Sequence, residues 1–349
     1  MPNARLEATV YGSVLALIIG WVLYIGKDIF VPIVFAILVV YVVAGLTRQM
    51  QKLPLVGRLL PIHVHHALSI LVIAIGLGLV LDLIVANRDS VVALAPRYQD
   101  SLLVAIQKMA VFLRIETEPT WTTLRQDVFA RISLHALLGS MVASASSILV
   151  TIFAVALYAS FLLIEQRSFA AKIANLSEDP RTAARIRQVT LDINARIGSY
   201  LALKTIINIL LGAISWLAMA VIGLEFAAFW AILIAVLNYI PYIGSFLGVL
   251  LPTMMAVVQF GHVNEVLALL LPLALIQFAI GNFLDPYLMG SSLNLSPFVI
   301  LVSLAVWSGL WGIPGALLAV PITAMLAIVF SEIRGTRPIA ILLSRNGRL

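Results

Sequence analysis

The sequence predicts an all-α polytopic membrane protein of about seven or eight transmembrane segments. Two of these are broken by glycine and proline, as re-entrant or hairpin segments in a possible inverted repeat, and a small soluble helical insert interrupts the series. Three observations lead there. Only 11% of the 349 residues are charged and 62% are hydrophobic, whereas soluble domains carry roughly 25% charged residues. Several runs free of charge reach the length of about 20 residues that a helix needs to cross a bilayer. Those runs are apolar on every face, which excludes the period-two alternation of a transmembrane barrel.

Composition excludes more. There is no cysteine, so disulfides, thiolate catalysis and cysteine-based metal sites are out. No Walker loop, HExxH or GxSxG pattern occurs, so no enzyme activity, cofactor or metal is expected. The formal charge of +6 fits basic loops that orient a membrane protein rather than nucleic-acid binding. The expected partners are membrane lipid, a small-molecule or ion substrate, and further copies of the chain.

Residues 1–86 read as N-terminal transmembrane helices. The first span covers about 9–26. Its apolar run is longer than a signal peptide's, and no small-x-small cleavage pattern precedes Lys27, so it reads as retained. The second span, about 29–46, follows after the short turn at Lys27 and Asp28. The third covers about 67–86. Between them, 47–66 is a basic loop with Arg48, Lys52 and Arg58 and no acid. It contains His63, His65 and His66, which lack a nearby carboxylate and read as solvated.

Residues 87–145 read as an extracytoplasmic amphipathic helical insert. Leu102, Ile106, Met109 and Leu113, then Leu124, Val128 and Ile132, recur at helical spacing, and Pro119 separates the two patterns. The apolar face would cover the rest of the chain, the membrane surface or a neighbouring subunit. Residues 146–196 hold a span at about 146–164 and a charged cytoplasmic linker. In the linker, SEDPRTAARIRQ marks a helix start with Pro180 in the first turn.

Residues 197–333 read as the transport core, and 334–349 as a basic cytoplasmic tail. The core has intact spans at about 199–223 and 264–282, each followed by a long charge-free run. The run 226–261 would be about 54 Å long as one straight helix, against a hydrocarbon core of about 30 Å. Within it stands NYIPYIGSFLG, where Pro241 removes a donor and Gly244 and Gly248 permit unusual dihedrals or close approach. The run 286–331 carries WSGLWGIPG, with Gly312, Pro314 and Gly315. The acid-poor loop 47–66 and the tail place both termini in the cytoplasm. The two broken runs then start on opposite sides, as in an inverted repeat. Such paired interruptions point to a transporter's midplane site.

Polar residues at membrane depth are the candidate substrate- or ion-binding groups: Lys204, Asn208, Asn238, Gln277, Asn282, Asp285 and Asn294. Structural roles compete. Lys204 lies about one turn inside its span and has the reach to snorkel. Asp285, before a proline, has the position of a helix cap. Gln277 and Asn208 suit interhelical hydrogen bonds. Lys204 and Asp285 fall on the same side of the membrane, close enough for pairing or for ion coupling.

Four motifs carry a resemblance: NYIPYIG at 238–244, DPYLMG at 285–290, LNLSP at 293–297 and WGIPG with Pro321. Together they resemble the autoinducer-2 exporter family of bacterial permeases over nearly the whole chain. The resemblance implies a bacterial inner-membrane, multi-pass homo-oligomer that exports a small polar solute such as a quorum-sensing signal. In some members it implies sodium/proton exchange. Members often carry Glu at the position of Asp285 and Pro at that of Ser245. A non-transporting scaffold or channel-like oligomer is the rival class.

Overall fold

The computed structural model describes residues 2–52, 61–86, 149–165, 168, 172, 179–289, 293–333 and 335–347. The expected insert over 87–145 lies outside them. The described residues are helices and their connections, with one isolated bridge between Leu295 and Ser344. In chain order the helices are α1 (Pro2–Ile25), α2 (Lys27–Lys52), α3 (Ile62–Ala86), α4 (Leu149–Glu165), α5 (Pro180–Ile222), α6 (Ala227–Leu237), α7 (Ile243–Phe260), α8 (Val263–Ala279), a π-helical turn (Ile280–Leu284), α9 (Asp285–Met289), α10 (Pro297–Glu332) and α11 (Arg337–Leu343).

Among the described residues, five helices are long and apolar enough to cross a membrane, and four shorter apolar helices accompany them. Their outer faces carry large apolar side chains. Leu17 is 74% exposed, Leu275 67% and Val221 79%. A soluble protein does not leave so much contiguous apolar surface in water; a bilayer covers it. The chain is an all-helical, multi-pass membrane protein.

The chain divides into two compact units. The first contains Met1–Ser69, Ile152–Leu203 and Ser291–Leu349. Its core gathers Leu38 from α2, Ile197 and Leu201 from α5, and Trp311 and Leu318 from α10. Gly45 and Gly198 let α2 and α5 touch backbone to backbone, since a Cβ on Gly45 would overlap the carbonyl of Gly198. Arg48 donates to the Asn194 carbonyl at that crossing. At the start of α3, His65 is 1% exposed and bonds the Pro61 carbonyl through Nδ1 at 3.1 Å. The reading of these histidines as solvated therefore fails for His65, because the helix begins earlier than the apolar run and turns the ring inward.

Helix α10 contains the second break. Gly312 has φ 65 and ψ −140, outside any helix. Trp307 Nε1 donates to Thr323 Oγ1 at 3.2 Å. Sixteen residues of straight helix would separate them by about 24 Å, so the chain doubles back at Gly312. Gly315 closes the turn, since a Cβ there would overlap the Trp307 carbonyl. Pro314 lies inside the second arm, within its first turn, where a missing N–H costs little.

The second unit contains Ile70–Thr151 and Lys204–Gly290, with Ile207, Leu211, Ile234, Leu269 and Leu273 in its core. Helices α6 and α7 are the two arms of the first broken run. The break is 238–242, and the residue with positive φ there is Tyr242, at 63°. Gly244 and Gly248 lie within α7 and serve close packing: Gly244 against the Leu237 carbonyl, Gly248 against Ile234. Ile234 and Gly248 would stand about 21 Å apart on a straight helix, so this run doubles back as well.

Two sequence boundaries differ from expectation. The part of the expected cytoplasmic linker from Pro180 onward is helical and continuous with the following span, giving the 43 residues of α5. The loop expected at 47–66 is helical up to Lys52 and again from Ile62. Charges end an apolar run without ending a helix, because intrahelical hydrogen bonds do not depend on the surrounding solvent.

Candidate functional site

The second unit holds a polar cluster in an apolar surround. Helix α5 presents Lys204, Asn208, Leu211, Ser215 and Met219 at spacings of three and four, and all five are buried. Two of those positions are apolar and three are polar, which is unusual for a buried helix face. Lys204 does not snorkel. It is 7% exposed, and its Nζ donates to Asp285 Oδ2 at 2.8 Å. The pairing that the sequence left open is made. Asn238, at the break after α6, donates from Nδ2 to Asn208 Oδ1 at 2.8 Å. The neighbouring Thr205 and Tyr239 hydroxyls lie 2.7 Å apart. The break is thereby tied to α5 by two side-chain bonds one residue apart.

Asp285 reaches Lys204 because of the π turn. Eight residues separate Gln277 from Asp285, and at about 100° per residue an unbroken α-helix would leave them about 80° apart. The π turn absorbs one extra residue, about 100°, and returns Asp285 to within about 20° of the Gln277 face. The Asp285 N–H bonds the carbonyl of Ile280, five residues back. Pro286 accounts for the turn. It has no N–H for the Asn282 carbonyl, and its ring crowds that oxygen. Asp285 spends its second oxygen on nothing: Oδ1 is buried and without a partner among the described residues.

Gln277 is 7% exposed, and neither Oε1 nor Nε2 has a partner among the described residues. A buried amide left open costs roughly 1–3 kcal/mol per group. Gly248 is what admits it, since a Cβ there would stand 3.0 Å from Nε2. The interhelical hydrogen bond expected of Gln277 is not made, whereas that of Asn208 is.

The remaining candidates lie elsewhere. Asn282 is exposed and bonds its own helix at the Phe278 carbonyl. Asn294 belongs to the first unit, with φ 47, and lines a recess described below. Sequence reasoning missed the hydroxyl pair of Thr205 and Tyr239 and the π turn. For the latter, the Asp-Pro step was the available signal.

A family model described as AI-2E family transporter matches residues 13–335. The AI-2 transport protein TqsA of Escherichia coli (strain K12) is 30% identical over 322 residues, covering 91% of this chain and 90% of that protein. YhhT of the same strain is 29% identical over 279 residues, covering 78% and 77%. A relative from Haemophilus influenzae is 24% identical over 346 residues, covering 98% and 97%. The family model spans most of the chain and the match to TqsA covers nearly all of both proteins, so the chain belongs to the AI-2E family of transporters.

Proposed function

We propose that the chain is an ion-coupled secondary transporter of a small polar solute, with the Lys204–Asp285 pair at its centre. The observation that carries this reading is that pair, Lys204 buried and Asp285 largely so, in the same unit as the open Gln277 amide. An ionised pair inside a membrane protein is expensive and contributes little net stability compared with apolar residues. Ionisable groups at such depth mark solute and ion pathways.

In this reading the Lys204 ammonium holds Asp285 through Oδ2 in the resting site. Asn208, Asn238 and Gln277 supply hydrogen bonds to the solute, and the freed backbone at 238–242 supplies more. Entry of solute or ion at Asp285 Oδ1 weakens the Lys204 bond and permits rocking of one helix group, the alternating-access step. Each broken run dips into the bilayer as a re-entrant hairpin. The protein sits in the bacterial inner membrane as a homo-oligomer with both termini cytoplasmic.

TqsA is named for AI-2 transport, which makes the quorum-sensing signal autoinducer-2 the first solute to test. Sodium/proton antiport by the same fold is the second reading. It is favoured by the open Asp285 Oδ1, an oxygen that a cation or proton would complete.

The test is flux in proteoliposomes of purified protein. The panel comprises autoinducer-2, other small polar signals, and sodium with proton readout. Movement of one of these, lost in Asp285→Asn while the protein stays monodisperse, is the expected result. No flux of any of them, with a partner protein co-purifying through residues 87–145, would establish the scaffold reading instead.

A further inference from the structure

The first unit carries a second polar feature, a recess of about 240 Å³ against α5, α10 and α11. Its frame is built. The segment before α10 pairs with the segment after α11: Ser296 N–H donates to the Leu343 carbonyl at 2.9 Å, and Arg345 N–H to the Asn294 carbonyl at 3.0 Å. The left-handed Asn294 turns the chain between these bonds.

The recess is lined by two carboxylates and two guanidiniums, and they are not alike. Asp192 Oδ1 accepts from Gln188 Nε2 at 3.1 Å, and Glu332 Oε2 from Arg185 Nε at 3.3 Å. Arg196 and Arg337 enter no ion pair among the described residues. With Glu332 neutralised by Arg185, Asp192 against two arginines leaves one net positive charge. Ser331, Ser344 and Asn294 are also at hand, and the rest of the wall is apolar, with Leu293 and Ile328. The level is set by the helices. The apolar span of α5 begins at Ile197, one residue past Arg196, and the charge-free run of α10 ends at Ser331. The recess lies where apolar spans give way to water.

We infer that this recess binds a phosphodiester, the singly charged phosphate of a phospholipid headgroup or of its soluble deacylated form. Paired N–H groups of a guanidinium match two phosphate oxygens. One net positive charge suits a monoanionic diester better than a dianionic monoester. The apolar wall beside it accommodates the first carbons of an acyl chain.

The experiment is native mass spectrometry of delipidated full-length protein with three probes: phosphatidylglycerol, glycerophosphoglycerol and diacylglycerol. Retained phosphatidylglycerol with diacylglycerol at background is expected. Arg196→Gln and Arg337→Gln should each weaken binding about tenfold, and Arg337→Lys should fall between, keeping charge but losing the fork. Arg187→Gln, an equal loss of charge on α5 outside the recess, should leave binding unchanged. Glycerophosphoglycerol binding as tightly as the lipid identifies a soluble ligand of the same chemistry; binding confined to the lipid identifies the membrane source. Diacylglycerol binding as well as phosphatidylglycerol overturns the inference. So do arginine variants that melt like wild type and bind like it.

Discussion

Gly244 and Gly315 do the same task at the two breaks. Each brings one helical arm against a carbonyl seven or eight residues earlier, where a Cβ would overlap the oxygen. Gly309, in the first arm of α10, faces open space. Alanine at Gly244 or Gly315 is therefore expected to destabilise by about 1–3 kcal/mol or prevent folding. Alanine at Gly309 should be neutral or stabilise by about 0.5–1 kcal/mol. Thermal unfolding in detergent and the yield of monodisperse protein measure the difference. At Asp285, replacement by Asn leaves the Lys204 ammonium buried without its partner, a loss of about 3–5 kcal/mol. Lys204 and Asp285 stood out in the sequence because each interrupts or ends an apolar run. Their bond was not legible, since 81 residues separate them and nothing local encodes the contact. Tyr242 was invisible for a different reason. Positive φ is assigned from sequence to glycine, and here the fold holds a tyrosine there while the glycines serve packing.

The elements read well where a local signal exists. The proposed start of α5 is capped as the residues suggest: Asp179 accepts from the Arg181 and Thr182 N–H groups and from the Thr182 hydroxyl at 2.7 Å, with Pro180 next in line. The Thr182 hydroxyl first, then the two amides, hold the Asp179 carboxyl below its usual range. A depressed carboxylate stabilises the folded form above its unfolded pKa, and that contribution disappears as pH falls through the folded value. The protection factor of the Ala183 amide, its exchange rate corrected for the intrinsic pH dependence, should therefore fall below about pH 4, and at neutral pH in Asp179→Ala. The π turn had only Pro286 to announce it, because its consequence, a rotation of about 100°, appears only against α5. Pro286→Ala restores the missing donor and lets the turn relax to α-helix. The chain has no cysteine, so the Lys204→Cys/Asp285→Cys pair offers a clean readout. Cross-linking by a short bifunctional thiol reagent, which bridges the length of the lost lysine side chain, should be efficient with Pro286 and fall several-fold in Pro286→Ala. Equal cross-linking in both backgrounds would remove the π turn from the account.

At the scale of the molecule, composition alone sufficed for the class, because a helix apolar on every face has no stable place except a membrane. The two doubled-back runs were legible from length against bilayer thickness. Helix ends were not. At about 64 Å, α5 far exceeds a bilayer of about 30 Å, and its charged first half was set apart from the span as a linker only because hydropathy reports the surrounding solvent rather than the backbone. The polar cluster was legible as a set of residue types, while its membership was not. Asn282 and Asn294 carry the same chemistry as Asn208 and Asn238, and only the fold separates them. The central claim is that the Lys204–Asp285 pair takes part in transport rather than merely holding helices together. Replacing both residues by apolar ones of similar size, Lys204→Met with Asp285→Leu, tests it most directly, because removing a buried pair together typically preserves or raises stability. In proteoliposomes the double variant should melt at or above the wild-type temperature and carry no solute or ion; a stable double variant with wild-type flux would contradict the claim.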